Sequence, residues 1–257
     1  MEAREFTAPS PPAPDLGGSR VGRAPVMIGR MPAVQPRRTL PTLPYRKPTP
    51  GRDYWVFDDV LPDAHAVRAR TLARNDWVPG YPHAPESWPG MRVMPGLEAD
   101  ELARVEALVR EATGSTKLWV ETAPDGARLN HNCIQVVGAD ECESRPHTDS
   151  RALCRFAAVL YLNPDVPDDC GTSFFRQRLP GGQRGGNMVM PPHETLVQAL
   201  GTRFVPAESF VEDARVPHRF NRLLVYRANL LHSATAYHGR ELADKRMAAV
   251  FFWMAKA

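Results

Sequence analysis

The sequence predicts a mainly β protein of the α+β class, in which N-terminal helices brace a β-sandwich or jelly roll. Three observations predict this fold: eleven prolines set residues 1–50 apart, two segments with helical spacing follow, and short apolar runs dominate from residue 117 onward. Two helices followed by many short strands are typical of helices packed on a sheet. At 257 residues the chain is long enough to bury a full core in one domain.

Residues 1–50 form a proline- and arginine-rich tail that we expect to be extended or disordered. This segment holds eight Lys or Arg against three acidic residues, a balance of +5, whereas the remainder of the chain is at −2. The basic character therefore belongs to the tail, and we expect no nucleic-acid partner. A segment with so little apolar periodicity cannot offset its ordering entropy. Residues 41–48 could bind a partner in polyproline form, or the tail could lie as an arm across its own domain.

The folded domain is predicted to span residues 51–257 and to open with one strand and two helices. Residues 53–57 form a short β-like run, and Pro62 marks the first turn of a helix that ends near Arg74. A second helix is expected over residues 98–111, and Gly114 closes it. Its apolar residues recur at helical spacing: Leu102, Val105, Leu108 and Val109.

From residue 117 the pattern becomes β. Short apolar or alternating runs bounded by turn residues predict strands over 118–120, 133–137, 156–162, 223–226 and 247–253. Residues 176–215 interrupt this pattern with four glycines followed by Pro191-Pro192. We therefore expect a long mobile loop there, which is a common place for a lid over a site.

The four cysteines lie within a short stretch but form no C-x-x-C pair, which argues against a structural zinc site. We expect them to be reduced thiols, most of them core residues. The N-terminus has no apolar run of signal-peptide length, and no segment approaches the roughly 18 apolar residues of a membrane span. These features predict a cytoplasmic protein with no membrane partner.

The segment His147-Thr148-Asp149 and the distant His232 form a candidate metal site. Residues separated by one project to the same side of a strand, so His147 and Asp149 would face one point. A third imidazole from a neighbouring strand completes a 2-His-1-carboxylate set and leaves metal positions open for substrate and oxygen. His232 follows the predicted strand 223–226 closely enough to supply that imidazole. The pattern indicates an Fe(II) oxygenase.

Arg246 opens the last predicted strand, immediately before six mainly apolar residues. An arginine in apolar surroundings needs an anionic partner. A dicarboxylate cosubstrate would provide one in the bidentate geometry that a guanidinium favours. Arg240 is the alternative candidate for this role.

Several segments resemble the 2-oxoglutarate- and Fe(II)-dependent dioxygenases, particularly the prolyl-4-hydroxylase-like branch and its uncharacterised bacterial relatives. The resemblance covers roughly residues 53–254. It is carried by these segments: His147-Thr148-Asp149, Tyr161-Leu162-Asn163, Cys170-Gly171-Thr172-Ser173-Phe174, and His232 followed by Arg246. Cys170-Gly171 departs from the Gly-Gly of many members, and the interval of 14 from His232 to Arg246 is longer than common, which keeps Arg240 as a rival.

The resemblance implies a double-stranded β-helix core of the jelly-roll or cupin-like type. It implies Fe(II) bound by His147, Asp149 and His232, with 2-oxoglutarate as cosubstrate and O2 as oxidant. Arg246 would bind the far carboxylate of the cosubstrate, and the Tyr161 hydroxyl would donate to the same carboxylate. The expected reaction is hydroxylation of an unactivated C–H bond, because halogenases on this scaffold lack the carboxylate that Asp149 provides.

The substrate is expected to be an amino acid, a peptide or a related small metabolite, on fold-level analogy with prolyl hydroxylases. Two other functions remain open. A catalytically silent double-stranded β-helix could serve as a binding or scaffold protein, for which a proline-rich tail would be suited. A cupin-like metal oxygenase could use oxygen without 2-oxoglutarate.

Overall fold

A computed structural model describes residues 40–80, 89–122 and 130–257, and within these ranges the protein is mainly β. The strands are β1 (Tyr54–Phe57), β2 (Val78–Pro79), β3 (Met91–Val93), β4 (Lys117–Trp119), β5 (Cys133–Val137), β6 (Phe156–Tyr161), β7 (Gly171–Gln177), β8 (Phe210–Pro217), β9 (Leu223–Arg227), β10 (His232–Ala234) and β11 (Arg246–Lys256). The helices are α1 (Ala64–Leu72), α2 (Ala99–Thr113) and α3 (Leu196–Leu200). The predicted mainly β class is confirmed.

The strands form two antiparallel sheets. The large sheet has the order β1-β9-β6-β11-β5-β3-β2, and β4 pairs with the far end of β11. The small sheet has the order β10-β7-β8. Strands that are adjacent in space are mostly distant in sequence. The chain therefore crosses between the two sheets as they are assembled.

The helices cover one face of the large sheet. Phe156, Ala158 and Leu160 of β6 belong to a buried apolar cluster that also contains Val67 of α1 and Val105 of α2. Because side chains alternate along a strand, these three residues share one face. The N-terminal helices therefore pack on the large sheet and bury its outer face, as the sequence predicted.

The opposite face of the large sheet packs on the small sheet. Ala157 and Tyr161 of β6 share a second buried cluster with Phe174 of β7 and Val216 of β8. The same alternation sets the orientation of β11, where odd positions from 247 to 253 face the helices and even positions face the small sheet. The space between the sheets is where the candidate site lies.

Both long helices have defined ends. The Asp63 carboxylate accepts the Ala66 N–H and caps α1, an interaction that typically stabilises a helix by about 1 kcal/mol. Glu98 and Glu101 form a reciprocal capping box at the start of α2. Gly114 ends α2 in the left-handed conformation, with φ of 69°, as its position in the sequence predicted.

Residues 40–50 lie against the domain. The Leu43 N–H donates to Gln177 Oε1 at 2.7 Å, and Gln177 Nε2 donates to the Pro41 carbonyl at 2.8 Å. The Asn187 N–H donates to the Pro44 carbonyl at 2.9 Å, and the Leu43 side chain is buried. This part of the chain forms an arm across its own domain, whereas residues 1–39 lie outside the described residues.

The prediction of one long loop over residues 176–215 was wrong. The segment contains the end of β7, the short helix α3 and most of β8. The strand β8 could not be recognised from its sequence pattern, because one face of it is turned to solvent and only Phe210 and Val216 are buried. A lid function for the remaining turns stays a prediction.

All four cysteines carry free thiols, and Cys133, Cys154 and Cys170 are buried as core residues. Cys142 is partly exposed. In the ranges described above, no helix combines the length and apolar character needed to cross a lipid bilayer.

Candidate metal centre

A pair of backbone hydrogen bonds brings two histidines from separate segments side by side. The His147 N–H donates to the His232 carbonyl at 3.0 Å, and the His232 N–H donates to the His147 carbonyl at 2.9 Å. His232 is the first residue of β10, so this bridge adds residue 147 to the edge of the small sheet. Residues directly opposite each other in such a pair project to the same face. The two imidazole centroids accordingly lie 4.5 Å apart.

Asp149 reaches the same point because it follows His147 by two residues. Its N–H donates to the Ala228 carbonyl at 2.9 Å, which holds the segment against the end of β9. Asp149 Oδ2 lies 3.7 Å from His232 Nε2, and one ligand atom from each of the three side chains lies within 4.8 Å of the others. No other group of three His, Cys, Asp or Glu side chains converges in this way among the residues that the structure describes.

Backbone carbonyls orient both imidazoles. His147 Nδ1 lies 2.8 Å from the Arg145 carbonyl, and His232 Nδ1 lies 2.8 Å from the Leu230 carbonyl. A carbonyl oxygen can only accept, so each Nδ1 carries the hydrogen and donates it. Each Nε2 therefore presents its lone pair toward the shared point. A hydrogen bond from the other ring nitrogen to a carbonyl orients metal-binding histidines in this way.

Burial sets the protonation of the three groups. It lowers the pKa of His147 to about 4, with a further contribution from the neighbouring His232 ring, and it lowers the pKa of His232 to about 4. Burial raises the pKa of Asp149 to about 6, against an opposing effect of His147. At pH 7 the site therefore offers two neutral imidazoles and a carboxylate, which are the protonation states that bind a cation.

The Asp149 carboxylate is only partly satisfied by the residues that the structure describes. Asp149 Oδ2 is buried and accepts no hydrogen bond from any described residue. A buried charge of this kind is costly unless a cation or donor compensates it. Two neutral nitrogens and one unpaired carboxylate oxygen together form a donor set that fits a divalent metal with open positions.

A cavity of about 240 Å³ adjoins the three ligands. Its wall includes the inward-facing residues of β5 and β11, and it also contains Arg246. The strand alternation explains this position, since Arg246 shares the inner face with Val250 and Phe252. Arg246 is 5% exposed, so its charge lies almost entirely inside the protein.

Arg246 has aromatic neighbours instead of an acidic one. The centre of its guanidinium lies 5.8 Å from the Tyr161 ring and 6.0 Å from the Tyr237 ring. Its Nε makes no hydrogen bond, and no carboxylate of the described chain lies within ion-pair distance. A buried guanidinium in this setting is expected to bind an anion from outside the chain.

The other two predicted candidates, Arg240 and Tyr161, do not form part of the cavity wall. Arg240 is 82% exposed and forms an ion pair with Asp140 at 3.1 Å, outside the cavity wall. Tyr161 is fully buried behind the wall, and its hydroxyl donates to Thr172 Oγ1 at 2.8 Å. Thr172 itself lines the cavity, so the Tyr161 hydroxyl lies directly behind the wall, and its binding to the cosubstrate stays a prediction.

Several cavity residues were missed by the sequence analysis. Tyr226 lies with its ring 4.4 Å from the His232 ring, and burial together with the nearby Asp149 raises its pKa well above the usual value. Alternation along the predicted strand 223–226 could have placed it on the inner face. Arg92, on the three-residue strand β3, carried no such signal because its position depends on long-range pairing with β5.

Residues 45–248 match the model of a protein family that is described as a family of unknown function, DUF6445. No curated protein matches the chain.

The chain is also similar to several solved structures. The non-heme alpha ketoglutarate dependent epimerase SnoN from nogalamycin biosynthesis is 19% identical over 79% of this chain and 77% of that one, with a TM-score of 0.45. HygX from Streptomyces hygroscopicus, with nickel, 2-oxoglutarate and hygromycin B bound, is 16% identical over 79% of this chain and 83% of that one, with a TM-score of 0.45. A Pseudomonas putida prolyl-4-hydroxylase is 17% identical over 80% of this chain and 94% of that one, with a TM-score of 0.44.

Proposed function

The chain belongs to DUF6445, a family of unknown function, and we propose that it is a non-haem Fe(II)- and 2-oxoglutarate-dependent oxygenase. The reaction proposed is hydroxylation of an unactivated C–H bond in a small molecule or peptide. The observation that carries the proposal is the convergence of His147, Asp149 and His232 in a cavity that also holds the buried Arg246.

The donor set supports Fe(II) as the metal. Two imidazole nitrogens and one carboxylate oxygen on one face, with the remaining positions open, are the ligands of non-haem Fe(II) oxygenases. His147 and His232 would bind through Nε2, since Nδ1 of each is held by a backbone carbonyl. Asp149 would bind through Oδ2, the oxygen that has no partner within the described chain.

The cavity supports 2-oxoglutarate as the cosubstrate. A dicarboxylate can reach a metal with one end and a buried guanidinium with the other. Arg246 offers the planar, permanently charged fork that binds a carboxylate in bidentate fashion. Thr172, held by the Tyr161 hydroxyl, presents its own hydroxyl to the same space.

The residues of this chain would bind and orient the metal and the cosubstrate and would shield them from water. The metal with its cosubstrate and O2 would supply the oxidation of the C–H bond. The backbone hydrogen bonds of His147 and His232 hold the imidazoles in place, and the apolar residues Val159, Val250 and Phe252 of the wall limit the access of water.

The two-sheet arrangement supports a double-stranded β-helix as the core of the fold. The large sheet provides β5, β6, β9 and β11, and the small sheet provides β7, β8 and β10. The bridge between His147 and His232 extends the small sheet by one more short segment. The two histidine ligands then lie at the edge of the small sheet and Arg246 on the large one, on opposite sides of the interior.

The first test is formation of the metal–cosubstrate complex. Anaerobic apoprotein titrated with Fe(II) and 2-oxoglutarate should develop a weak visible charge-transfer band, and His147→Ala should abolish it. His65→Ala, an exposed position on α1, is the matched control and should retain the band. Absence of the band in the wild type would contradict the proposal and favour the alternative, a catalytically silent binding or scaffold protein.

The second test asks which arginine binds the cosubstrate. Arg246→Gln should raise the KM for 2-oxoglutarate tenfold or more, because a hydrogen bond to a charged group contributes about 1.5–3 kcal/mol. Arg240→Gln should leave this KM within twofold of the wild type, since its partner is the exposed Asp140. The readout is succinate release. Oxygen consumption that proceeds without added 2-oxoglutarate would favour a cupin-like oxygenase instead.

A further inference from the structure

We propose that a second cavity, separate from the metal centre, binds a small molecule that carries a phosphate group. Four arginines lie in its wall: Arg46 of the arm formed by residues 40–50, Arg151 and Arg155 in the segment that leads into β6, and Arg227 at the end of β9. The wall contains no Asp or Glu among the residues that the structure describes. The inference does not depend on the function proposed for the metal centre.

Three guanidinium groups share one carboxylate beside this cavity. Asp53 Oδ1 lies 2.7 Å from Arg46 Nη2 and 3.8 Å from Arg227 Nε. Asp53 Oδ2 lies 2.7 Å from Arg52 Nη2. Asp53 is fully buried, whereas the three arginine side chains are partly exposed. Three positive charges around one negative charge leave an excess of two positive charges at this point.

The remaining charged groups near the wall do not remove this excess. Arg151 Nη1 lies 3.7 Å from Glu194 Oε1, so Glu194 compensates Arg151 alone. Arg155 is exposed and forms no ion pair with any described residue. Ala257, which also lies in the wall, forms no ion pair with an arginine. The cavity is therefore positively charged as a whole.

The excess charge acts on Arg227 in particular. Burial lowers the pKa of Arg227, and the charges of Arg46 and Arg52 act in the same direction, against the opposing effect of Asp53. Like charges nearby disfavour the charged form of a guanidinium, and an anion nearby favours it. An anionic ligand would thus relieve the repulsion among arginines that the fold holds close together.

These arginines keep hydrogen-bond donors for such a ligand. Arg227 Nε donates to the Arg52 carbonyl at 2.9 Å, while its two Nη atoms make no hydrogen bond with a described residue. Arg46 Nε is buried and has no acceptor among the described residues. The Arg155 guanidinium makes no hydrogen bond in this part of the chain. A guanidinium has five N–H donors in a planar fork that matches the oxygens of a phosphate group.

Charge and volume together indicate the class of ligand. A phosphate monoester carries about −1.5 to −2 at pH 7, which matches the excess of two positive charges. The cavity measures about 450 Å³, within the roughly 300–1,000 Å³ typical of small-molecule sites. Phe156, Met188 and Met190 form an apolar part of the wall. We therefore expect an organic phosphate with an apolar group rather than inorganic phosphate.

The ligand would connect the arm to the domain. The Arg46 N–H donates to Asn187 Oδ1 at 3.0 Å, and Asn187 Nδ2 donates to the Arg46 carbonyl at 2.7 Å. These bonds hold Arg46 at the cavity, opposite the end of β9. The cavity also adjoins the metal centre, because Cys154 lies in the walls of both cavities.

The proposal is tested with two probes of similar shape that differ in charge. The full chain is titrated calorimetrically with phenyl phosphate and phenyl sulfate at pH 8, where the phosphate monoester carries both charges. Phenyl phosphate should bind tenfold or more tightly than phenyl sulfate, more tightly than inorganic phosphate, and more weakly as salt is added. Equal binding of the two phenyl probes, or a Kd for phenyl phosphate weaker than about 1 mM, overturns the proposal.

Substitutions then locate the binding site. Arg227→Gln should weaken binding of phenyl phosphate tenfold or more, and Arg155→Gln threefold or more. Arg155 has no partner among the described residues, so its replacement leaves the fold intact and decides the test if Arg227→Gln does not fold. Arg178→Gln, at an exposed position outside the wall, is the matched control and should bind as wild type does. Wild-type affinity in Arg155→Gln contradicts the proposal.

Two further measurements exclude other sources of binding. Arg246→Gln should bind phenyl phosphate within twofold of wild type. If it weakens binding instead of Arg227→Gln, the probe occupies the metal cavity and the proposal fails. Phosphatidylcholine vesicles that contain phosphatidic acid test for a lipid headgroup by sedimentation, and the protein should remain in the supernatant. Sedimentation with these vesicles that Arg227→Gln abolishes would assign the arginines to a membrane surface and overturn the small-molecule ligand.

Discussion

At the scale of single residues, we expect the candidate metal centre to lower the stability of the metal-free protein. The Oδ2 atom of Asp149 is buried and has no donor within the described chain, and desolvation raises the pKa of this carboxyl to about 6. His147 and His232 face it with lone pairs and not with N–H groups, because their Nδ1 hydrogens are donated to backbone carbonyls. Such a site favours a bound cation over the empty state.

Asp149→Asn keeps the shape of the side chain and removes the charge. It therefore tests both the cost of the unpaired carboxylate in the metal-free protein and the stabilisation by a bound cation. We expect the metal-free variant to be more stable than metal-free wild type at pH 7 by about 1–3 kcal/mol, since the desolvation cost of an unpaired carboxylate disappears. Added Fe(II) or Mn(II) should stabilise the wild type and leave the variant unchanged. Urea unfolding in EDTA and in metal measures both quantities.

Asp140→Asn is the control for this comparison. Asp140 is 72% exposed and pairs with Arg240 on the surface, so its removal should change stability little in either condition. A metal-free Asp149→Asn protein that is less stable than the wild type would show that the carboxylate has a stabilising partner after all.

At the scale of elements, the sequence predicted best where one strand or helix carries its own periodic pattern. The strand 133–137 matches β5, and the helix 98–111 matches α2 within two residues at its C-terminal end. His147 and Asp149 were identified in the same way, because an i, i+2 spacing needs only an extended backbone to put both side chains on one side.

Elements defined by long-range pairing were missed. β3 and β10 have three residues each, which is too short to show alternation. β10 exists because it pairs with β7, and β3 because it pairs with β5. Arg92 was missed for that reason. Tyr161 was chosen from a sequence motif, and a motif cannot show that the Tyr161 hydroxyl donates to Thr172.

The arm formed by residues 40–50 offers a test at this scale. The backbone of Gly186 lies so close to the arm that a Cβ atom would meet the Leu43 carbonyl oxygen at 1.9 Å. Gly186→Ala should therefore displace the arm, at a cost of about 1–3 kcal/mol typical of overpacking. Hydrogen exchange at the Leu43 amide, which donates to Gln177, should become faster.

Gln183→Ala, an exposed position in the preceding turn, is the matched control and should leave exchange at the Leu43 amide unchanged. Wild-type protection of that amide in Gly186→Ala would mean that the backbone relaxes without releasing the arm.

At the scale of the whole molecule, unfolding couples to pH through histidines that are buried in neutral form. His131 Nδ1 lies 2.8 Å from the carbonyl oxygen and 3.1 Å from the nitrogen of Phe252, and its ring packs edge-on against Trp253 at 5.2 Å. Burial lowers its pKa from 6.5 to about 4, and burial has the same effect on His218. Both rings must become protonated when the chain unfolds in mild acid.

The sign of the resulting pH dependence follows from the lowered pKa of His131. Its value in the folded protein is about 4 and its ordinary value is 6.5, so between these limits the unfolded chain binds the extra proton. The stability associated with His131 is full above pH 6.5 and decreases as the pH falls toward 4, with about 2 kcal/mol lost at pH 5.

His131→Gln should be less stable than the wild type at pH 7 because it loses the aromatic packing. Between pH 7 and pH 5, however, its free energy of unfolding should fall by about 2 kcal/mol less than that of the wild type. Urea unfolding of both proteins in EDTA at the two pH values measures the difference, and equal losses would mean that His131 is already protonated in the folded protein.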